Sequence, residues 1–278
     1  MLFGYVENLW IYFGVSIWMG VFMAGIGFGV MHDAIHGSYS KNQRLNNIVG
    51  EVINLVGGAS INWKIQHNVL HHTYTNVEEY DEDIDSPSFL RFSPNSKRRL
   101  IHRFQFLYAW FFYGFLTLNW ATVSDFTSLL RYKKRGLIKS ASSRSFLFHL
   151  FKIIVLRAAY FTYTIILPIW LTEYSVLNVL LNFLVMHWVA GFILSCVFQP
   201  AHVMESSPYF DATAGDNIPN DWASHQVMNT VNFAPKNRLL TWYVGGLNYQ
   251  VEHHLFPSIC HIHYRKLSKI VKSTAEEL

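Results

Sequence analysis

Asn248-Tyr249-Gln250-Val251-Glu252-His253-His254-Leu255-Phe256-Pro257 carries two adjacent histidines, with a glutamine three positions before the first. Two further clusters of the same kind lie far upstream, His32-Asp33-Ala34-Ile35-His36 and His67-Asn68-Val69-Leu70-His71-His72. Long apolar stretches separate the clusters. The fold therefore turns on whether the three meet on one side of a membrane.

Composition points to a membrane. Of 278 residues, 51% are hydrophobic, 17% aromatic and only 14% charged, whereas a soluble domain carries about a quarter charged residues. The net charge of +4 is small. Its Lys and Arg are clumped in a way that suits lipid headgroups rather than nucleic acid. Cys196 and Cys260 stand alone, so neither a disulfide framework nor a thiolate zinc site is indicated. The ligand chemistry has to be that of histidine.

Residues 9–31 contain no charge and, at about 1.5 Å per residue, can cross a hydrocarbon core of roughly 30 Å. Residues 153–172 and 176–198 read as a hairpin of two more spans, joined by the short turn Thr172-Glu173-Tyr174-Ser175. Residues 104–123 are also uncharged, but Lys97, Arg98, Arg99 and Arg103 precede them and Arg131, Lys133, Lys134 and Arg135 follow. A crossing would leave basic clusters on both sides, so this segment is expected to be interfacial. An even number of crossings then separates His72 from His202, which keeps all three clusters on one face. Lys152 and Arg157 make that face the cytoplasmic one by the positive-inside rule. The expectation is one all-α integral membrane domain over residues 1–278, with transmembrane helices and a cytoplasmic helical cap holding a histidine-rich dimetal site.

His32 and His36 are four apart, as are His67 and His71, so each pair shares a helix face, and His72 lies about 100° further round. Imidazole suits iron, zinc, copper and nickel, while a shell without thiolate or carboxylate argues against iron–sulfur clusters, magnesium and calcium. Seven such histidines exceed the needs of one tetrahedral ion. Two metal ions are the economical inference.

His-x3-His, His-x3-His-His and Gln-x2-His-His, in this order and split by a hairpin of spans, resemble the three boxes of the membrane fatty acid desaturases. Gln250 is similar to the front-end and acyl-lipid branch, and the words His32-Asp33-Ala34, Gly37-Ser38-Tyr39-Ser40 and Thr73-Tyr74-Thr75-Asn76 match as well. The resemblance runs from Gly25 to Val271. It implies O2-dependent dehydrogenation of an acyl chain, in a lipid or an acyl-CoA, at a non-haem site of two Fe ions, leaving a cis double bond. It implies that His32, His36, His67, His71, His72, His253 and His254 are catalytic iron ligands and adds His202. His225 and Gln250 are further candidates. Asp33, Asn68, Gln199 and Glu252 are expected to accept the other N–H of ligating imidazoles.

The chain has no nicotinamide or flavin fingerprint and no His-Pro-Gly-Gly haem loop of a fused cytochrome b5 domain. A separate electron donor of ferredoxin or cytochrome b5 type is expected, which favours a bacterial inner membrane over the endoplasmic reticulum. The resemblance also implies another span ahead of residues 9–31, for which Met1 to Asn8 leave no room, so an N-terminal span is expected to be missing. A hydroxylase or ketolase would share the first hydrogen abstraction and differ in product. A metal transporter would instead place its ligands near the bilayer midplane, where only His187 lies. His187 reads as an interhelical hydrogen bond or part of a substrate tunnel. His102, His149, His261 and His263 are expected at lipid headgroups, and Asp81-Glu82-Asp83-Ile84-Asp85 as a solvated loop, with a carrier-docking patch as the alternative.

Overall fold

The structure, a computed structural model, describes residues 8–211 and 221–277. The regular structure of those residues is almost entirely helical; their one ladder pairs Val77–Glu78 in parallel with Phe210–Asp211. Among the described residues, three helices are long and apolar enough to cross a membrane: Leu9–His36, Phe146–Leu171 and Val176–His202. They are the three expected spans, each prolonged by several residues. The prolongation matters for two of them, because it carries His32, His36 and His202 on the same helices that leave the bilayer.

Residues 104–123 do not form such a helix. The helix Gln105–Tyr113 stops at Gly114 and a new one starts at Leu116. The break has a visible cause in Trp188. Its indole lies where a side chain at residue 114 would sit, 2.2 Å from an ideal Cβ. The indole N–H also donates to the Phe111 carbonyl at 3.1 Å, replacing a bond of the interrupted helix.

The described chain divides into two compact units. The first comprises residues up to Gly27, Glu51–Asn62 and Trp110–Ser195. The second comprises Phe28–Gly50, Trp63–Ala109 and the residues from Cys196 onward.

In the first unit the small residues Ser16, Gly20 and Ala24 are the buried face of the helix Leu9–Gly25. Small residues let membrane helices approach closely, and Ser16 uses the proximity to donate to Asn182 at 2.7 Å. His187 is fully buried in mid-span, with one ring nitrogen 2.9 Å from the Thr117 hydroxyl and the other 2.7 Å from that of Tyr160. It is an interhelical hydrogen-bond node.

Arg157 is buried too. Its guanidinium donates to the Gly57 carbonyl and pairs with Asp125, which also accepts from Asn62 at 3.0 Å. Removing one member of a buried pair leaves the other charge uncompensated, which costs about 3–5 kcal/mol. Arg157→Met is therefore expected to lose that much in equilibrium unfolding by SDS, and Arg157→Met combined with Asp125→Leu to recover most of it. Equal losses in the single and double variants would contradict this account.

In the second unit the helix His32–His36 ends on Gly37 in the left-handed region. The segment Lys64–His71 is not α-helical as its spacing suggests; it is a π-helix, and the His72 N–H bonds back five residues to the His67 carbonyl. The helix Gln250–Leu255 follows a Gly245-Gly246 turn with φ of +55° and +70°. A Cβ on Gly245 would lie 2.5 Å from the Gly29 Cα, so only glycine permits this approach. The final helix, Tyr264–Glu277, buries Tyr264 and exposes a basic flank.

Candidate metal centre

All eight histidines expected as ligands lie in the second unit and converge. Ligand nitrogens of His32, His36, His67 and His253 lie within 4.8 Å of one another, as do those of His71, His202 and His254, and those of His72, His253 and His254. The first two of these groups outline two neighbouring centres. His253 and His254, adjacent in sequence, belong one to each.

The π-helix determines how the second cluster contributes. With a wider turn than an α-helix, it brings residues five apart onto one face. His67 and His72 consequently meet, Nε2 to Nε2 at 3.2 Å, and His32 Nε2 stands 3.0 Å from the same His67 nitrogen. One ring proton cannot satisfy three nitrogens. His36 Nε2, His253 Nε2, His254 Nε2, His32 Nδ1 and His72 Nδ1 are buried with no hydrogen-bond partner among the described residues, the Asp33 carboxylate standing 3.9 Å from His32 Nδ1.

Burial, followed by the neighbouring imidazoles, pushes the pKa values of His67, His72, His253 and His254 well below the usual range. These rings are neutral donors of lone pairs. Buried lone pairs facing one another are costly unless something electrophilic stands among them. The donor set thus fits metal cations that favour nitrogen, iron among them.

The opposite ring nitrogens of several of these histidines are tied down. His253 Nδ1 lies 3.2 Å from the Tyr264 hydroxyl, His254 Nδ1 2.9 Å from Gln226 Oε1, His202 Nδ1 3.3 Å from the Asn229 carbonyl and His71 Nδ1 3.0 Å from Asp81 Oδ1. Such partners fix the tautomer and the ring plane of a ligating histidine. At His71 burial opposes the charged ring, but Asp81 and Asp83 outweigh it and raise the pKa to about 9. Before a cation binds the ring is therefore an imidazolium; a cation at the far nitrogen would displace that proton, while the Nδ1 proton stays held by the carboxylates.

Asp81 corrects the expectation of a solvated acidic loop. Its side chain is buried, accepting the Asn76 N–H at 2.8 Å as well as facing His71. Asp83 adds a second carboxylate 3.3 Å from His71 Nδ1 and is itself held by Gln66. Nothing in the linear acidic run distinguishes this arrangement from a surface loop.

The acceptors expected from the sequence fare unevenly. Asp33 takes the His261 ring at 2.7 Å, so His261 is a partner inside the protein and not a headgroup contact. His149 and His102 are likewise engaged, with the Ser142 hydroxyl and the Ser88 carbonyl. Asn68 donates to the Ile35 carbonyl, Gln199 lies against the Asp83 carbonyl, and Glu252 accepts from Asn232. None of these three meets a cluster histidine. The partners that do, Gln226, Asn229 and Tyr264, carried no sequence signal beyond Gln226 following His225.

His225, a further candidate on the resemblance, stands outside the clusters. Its Nε2 lies 2.8 Å from the Thr75 carbonyl and its Nδ1 3.3 Å from Asn229. Both ring nitrogens are thus engaged, and the ring instead steadies Asn229, whose carbonyl orients His202. Gln250 is buried with both amide atoms unpartnered. It sits three and four residues before His253 and His254 on one short helix, hence on their face.

The fatty acid desaturase profile matches residues 8–278. The sn-1 linoleoyl-lipid 6-desaturase of Arthrospira platensis is 37% identical over 273 residues, covering 98% of this chain and 72% of the relative. The enzyme of the same description from Synechocystis sp. is 35% identical over 262 residues, covering 93% of this chain and 71% of the relative. An acyl-lipid (8-3)-desaturase of Physcomitrium patens is 34% identical over 264 residues, covering 94% of this chain and 54% of the relative. With a matching profile that runs from Asn8 to Leu278 around the converging histidines, the chain belongs to the fatty acid desaturase family.

Proposed function

We propose that the protein is a front-end acyl-lipid desaturase that introduces a cis double bond into the fatty acyl chain of a membrane lipid, using O2 and two electrons at a site of two irons. The observation that carries this reading is the buried double cluster of imidazoles, all but His71 held neutral, several with ring nitrogens that have no hydrogen-bond partner among the described residues. The overall change balances as –CH2–CH2– + O2 + 2 e⁻ + 2 H⁺ → –CH=CH– + 2 H2O.

His32, His36, His67 and His253 would hold one iron, His71, His202 and His254 the other, with His72 between the two groups. Iron held there would supply the activation of O2 and the abstraction of hydrogen from adjacent methylenes. The protein itself supplies position and exclusion. Asp81, Gln226, Asn229 and Tyr264 fix ring orientations, and burial of the cluster keeps bulk water from the reacting carbons. The extension of Leu9–His36 and Val176–His202 past the bilayer supports a site at the membrane face, where an acyl tail enters from the lipid and electrons arrive from the cytoplasm. The names of the relatives favour an acyl-lipid over an acyl-CoA.

The test is expression, with a ferredoxin and its reductase, in a bacterial host lacking polyunsaturated lipids. Gas chromatography of fatty acid methyl esters is expected to show a new unsaturated acid, and metal analysis of purified protein about two irons per chain. A hydroxylated product would replace desaturation by hydroxylation; zinc in place of iron would overturn the reading. Gln250 is assigned to the same site, where its buried amide oxygen would be available to a cation. Gln250→Leu is then expected to lower turnover about 10- to 100-fold and Gln250→His to keep most of it. Equal activity of both variants would remove Gln250 from the site.

A further inference from the structure

We propose that the basic flank of the helix Tyr264–Glu277 is the docking surface for an acidic one-electron carrier protein. This rests on the desaturase reading, which requires two electrons per turnover from outside the chain.

Arg265, Lys269 and Lys272 recur at spacings of four and three, so they form one stripe along this helix. All three are exposed. No acidic residue occurs between Glu252 and Glu276. Of the three, Lys272 is the one with a carboxylate within reach among the described residues, Glu276 at 3.6 Å. A stripe of this kind attracts an acidic protein and speeds its encounter.

What distinguishes this basic stretch from others in the chain is where the helix leads. Its first residue, Tyr264, is buried and places its hydroxyl 3.2 Å from His253 Nδ1. Three residues earlier, His261 is partly exposed and pairs with Asp33, the neighbour of His32. A carrier seated on the stripe is thus connected to two cluster histidines through one tyrosine and one His–Asp pair. An anionic lipid surface is the competing occupant. It is disfavoured because the helix buries Tyr264 and half-buries Leu267 and Val271 against the protein, leaving Ile270 as the one large apolar side chain exposed along its described residues. A helix lying on a membrane inserts its apolar face into the lipid.

The experiment compares wild type with R265E/K269E/K272E, each as the full chain in nanodiscs. Two acidic probes are used in parallel, a soluble [2Fe–2S] ferredoxin and a soluble cytochrome b5 haem domain. For at least one carrier, the variant is expected to raise both Kd and KM about tenfold or more at low salt, with kcat little changed. The gap should close as ionic strength rises. Product from a single turnover after dithionite reduction should be the same in both proteins, and R265Q/K269Q/K272Q should fall between them.

Unchanged Kd and KM for both carriers would overturn the proposal. So would an equal loss with carrier and dithionite, which would make the stripe structural. A loss that follows only the anionic lipid content of the nanodisc would make it a headgroup contact. Binding separates this idea from the desaturase reading: absence of product from wild type, with carrier binding still lost in the variant, would sink the reaction and leave the docking surface standing.

Discussion

Replacing His67 by alanine is expected to reduce product to background, a fall of at least about a hundredfold, and to strip iron from the purified protein. His67 is the residue on which the two groups of imidazoles hinge. Its Nε2 lies 3.0 Å from His32 Nε2 and 3.2 Å from His72 Nε2. Its ring is braced on the other side by Trp63, with ring centroids 4.2 Å apart.

The substitution removes one donor and also the contact that sets the positions of two more, so loss of metal should be cooperative. Without metal the effect on stability has the opposite sign to intuition. The alanine relieves a crowd of lone pairs, so the metal-free variant should unfold no earlier than metal-free wild type. Loaded wild type should be distinctly the more stable of the pair, since a ligand that binds only the folded state stabilises it. Thermal unfolding in detergent with and without iron reads both. Product formation by a well-folded His67→Ala protein would show that the cluster is not the reaction centre.

Spans and box histidines were legible in the sequence because each obeys a local rule. Uninterrupted apolar length marks a membrane helix. A spacing of four puts His32 and His36 on one face, and the two appear there in the structure. What was illegible depends on packing between distant segments. The π-helix at Lys64–His71 has no signature that separates it from an α-helix, yet it decides that His67 meets His72. The break at Gly114 follows from an indole contributed by residue 188.

The orienting partners divide along the same line. Gln226, Asn229 and Tyr264 are identified only by the rings they touch. Asp81 was misread because acidic runs are ordinarily solvated. The turn bonds that bury this one, Asp81 accepting from the N–H groups of Asn76 and Asp83, have no periodicity to detect. His225, a further candidate on the resemblance alone, has both ring nitrogens engaged by Thr75 and Asn229, contacts that its sequence surroundings do not announce.

Asp81→Asn is expected to lower turnover about 10- to 100-fold, the range seen when the hydrogen-bond partner of a ligating histidine is removed. Asparagine keeps the size of the side chain, and its amide oxygen can still accept the Asn76 N–H. What disappears is the negative charge beside His71 Nδ1, 3.0 Å away in a buried site. Burial opposes charge on the His71 ring, and Asp81 is the larger of the two carboxylate influences that overcome it. Without it the ring proton is no longer pinned, either tautomer becomes available, and an amide N–H can face the ring nitrogen in competition with it.

Iron affinity should therefore fall along with turnover, and raising the iron concentration should restore part of the activity. A purely structural defect would not respond to added iron. Asp83→Asn should be milder, because that side chain is partly exposed and lies farther from the ring, at 3.3 Å. Removing both carboxylates should exceed the sum of the two, since each compensates in part for the loss of the other. Iron titration followed by absorbance, with turnover measured at each step, decides the matter. Asp81→Asn binding iron as tightly as wild type would reduce the buried carboxylate to a loop anchor.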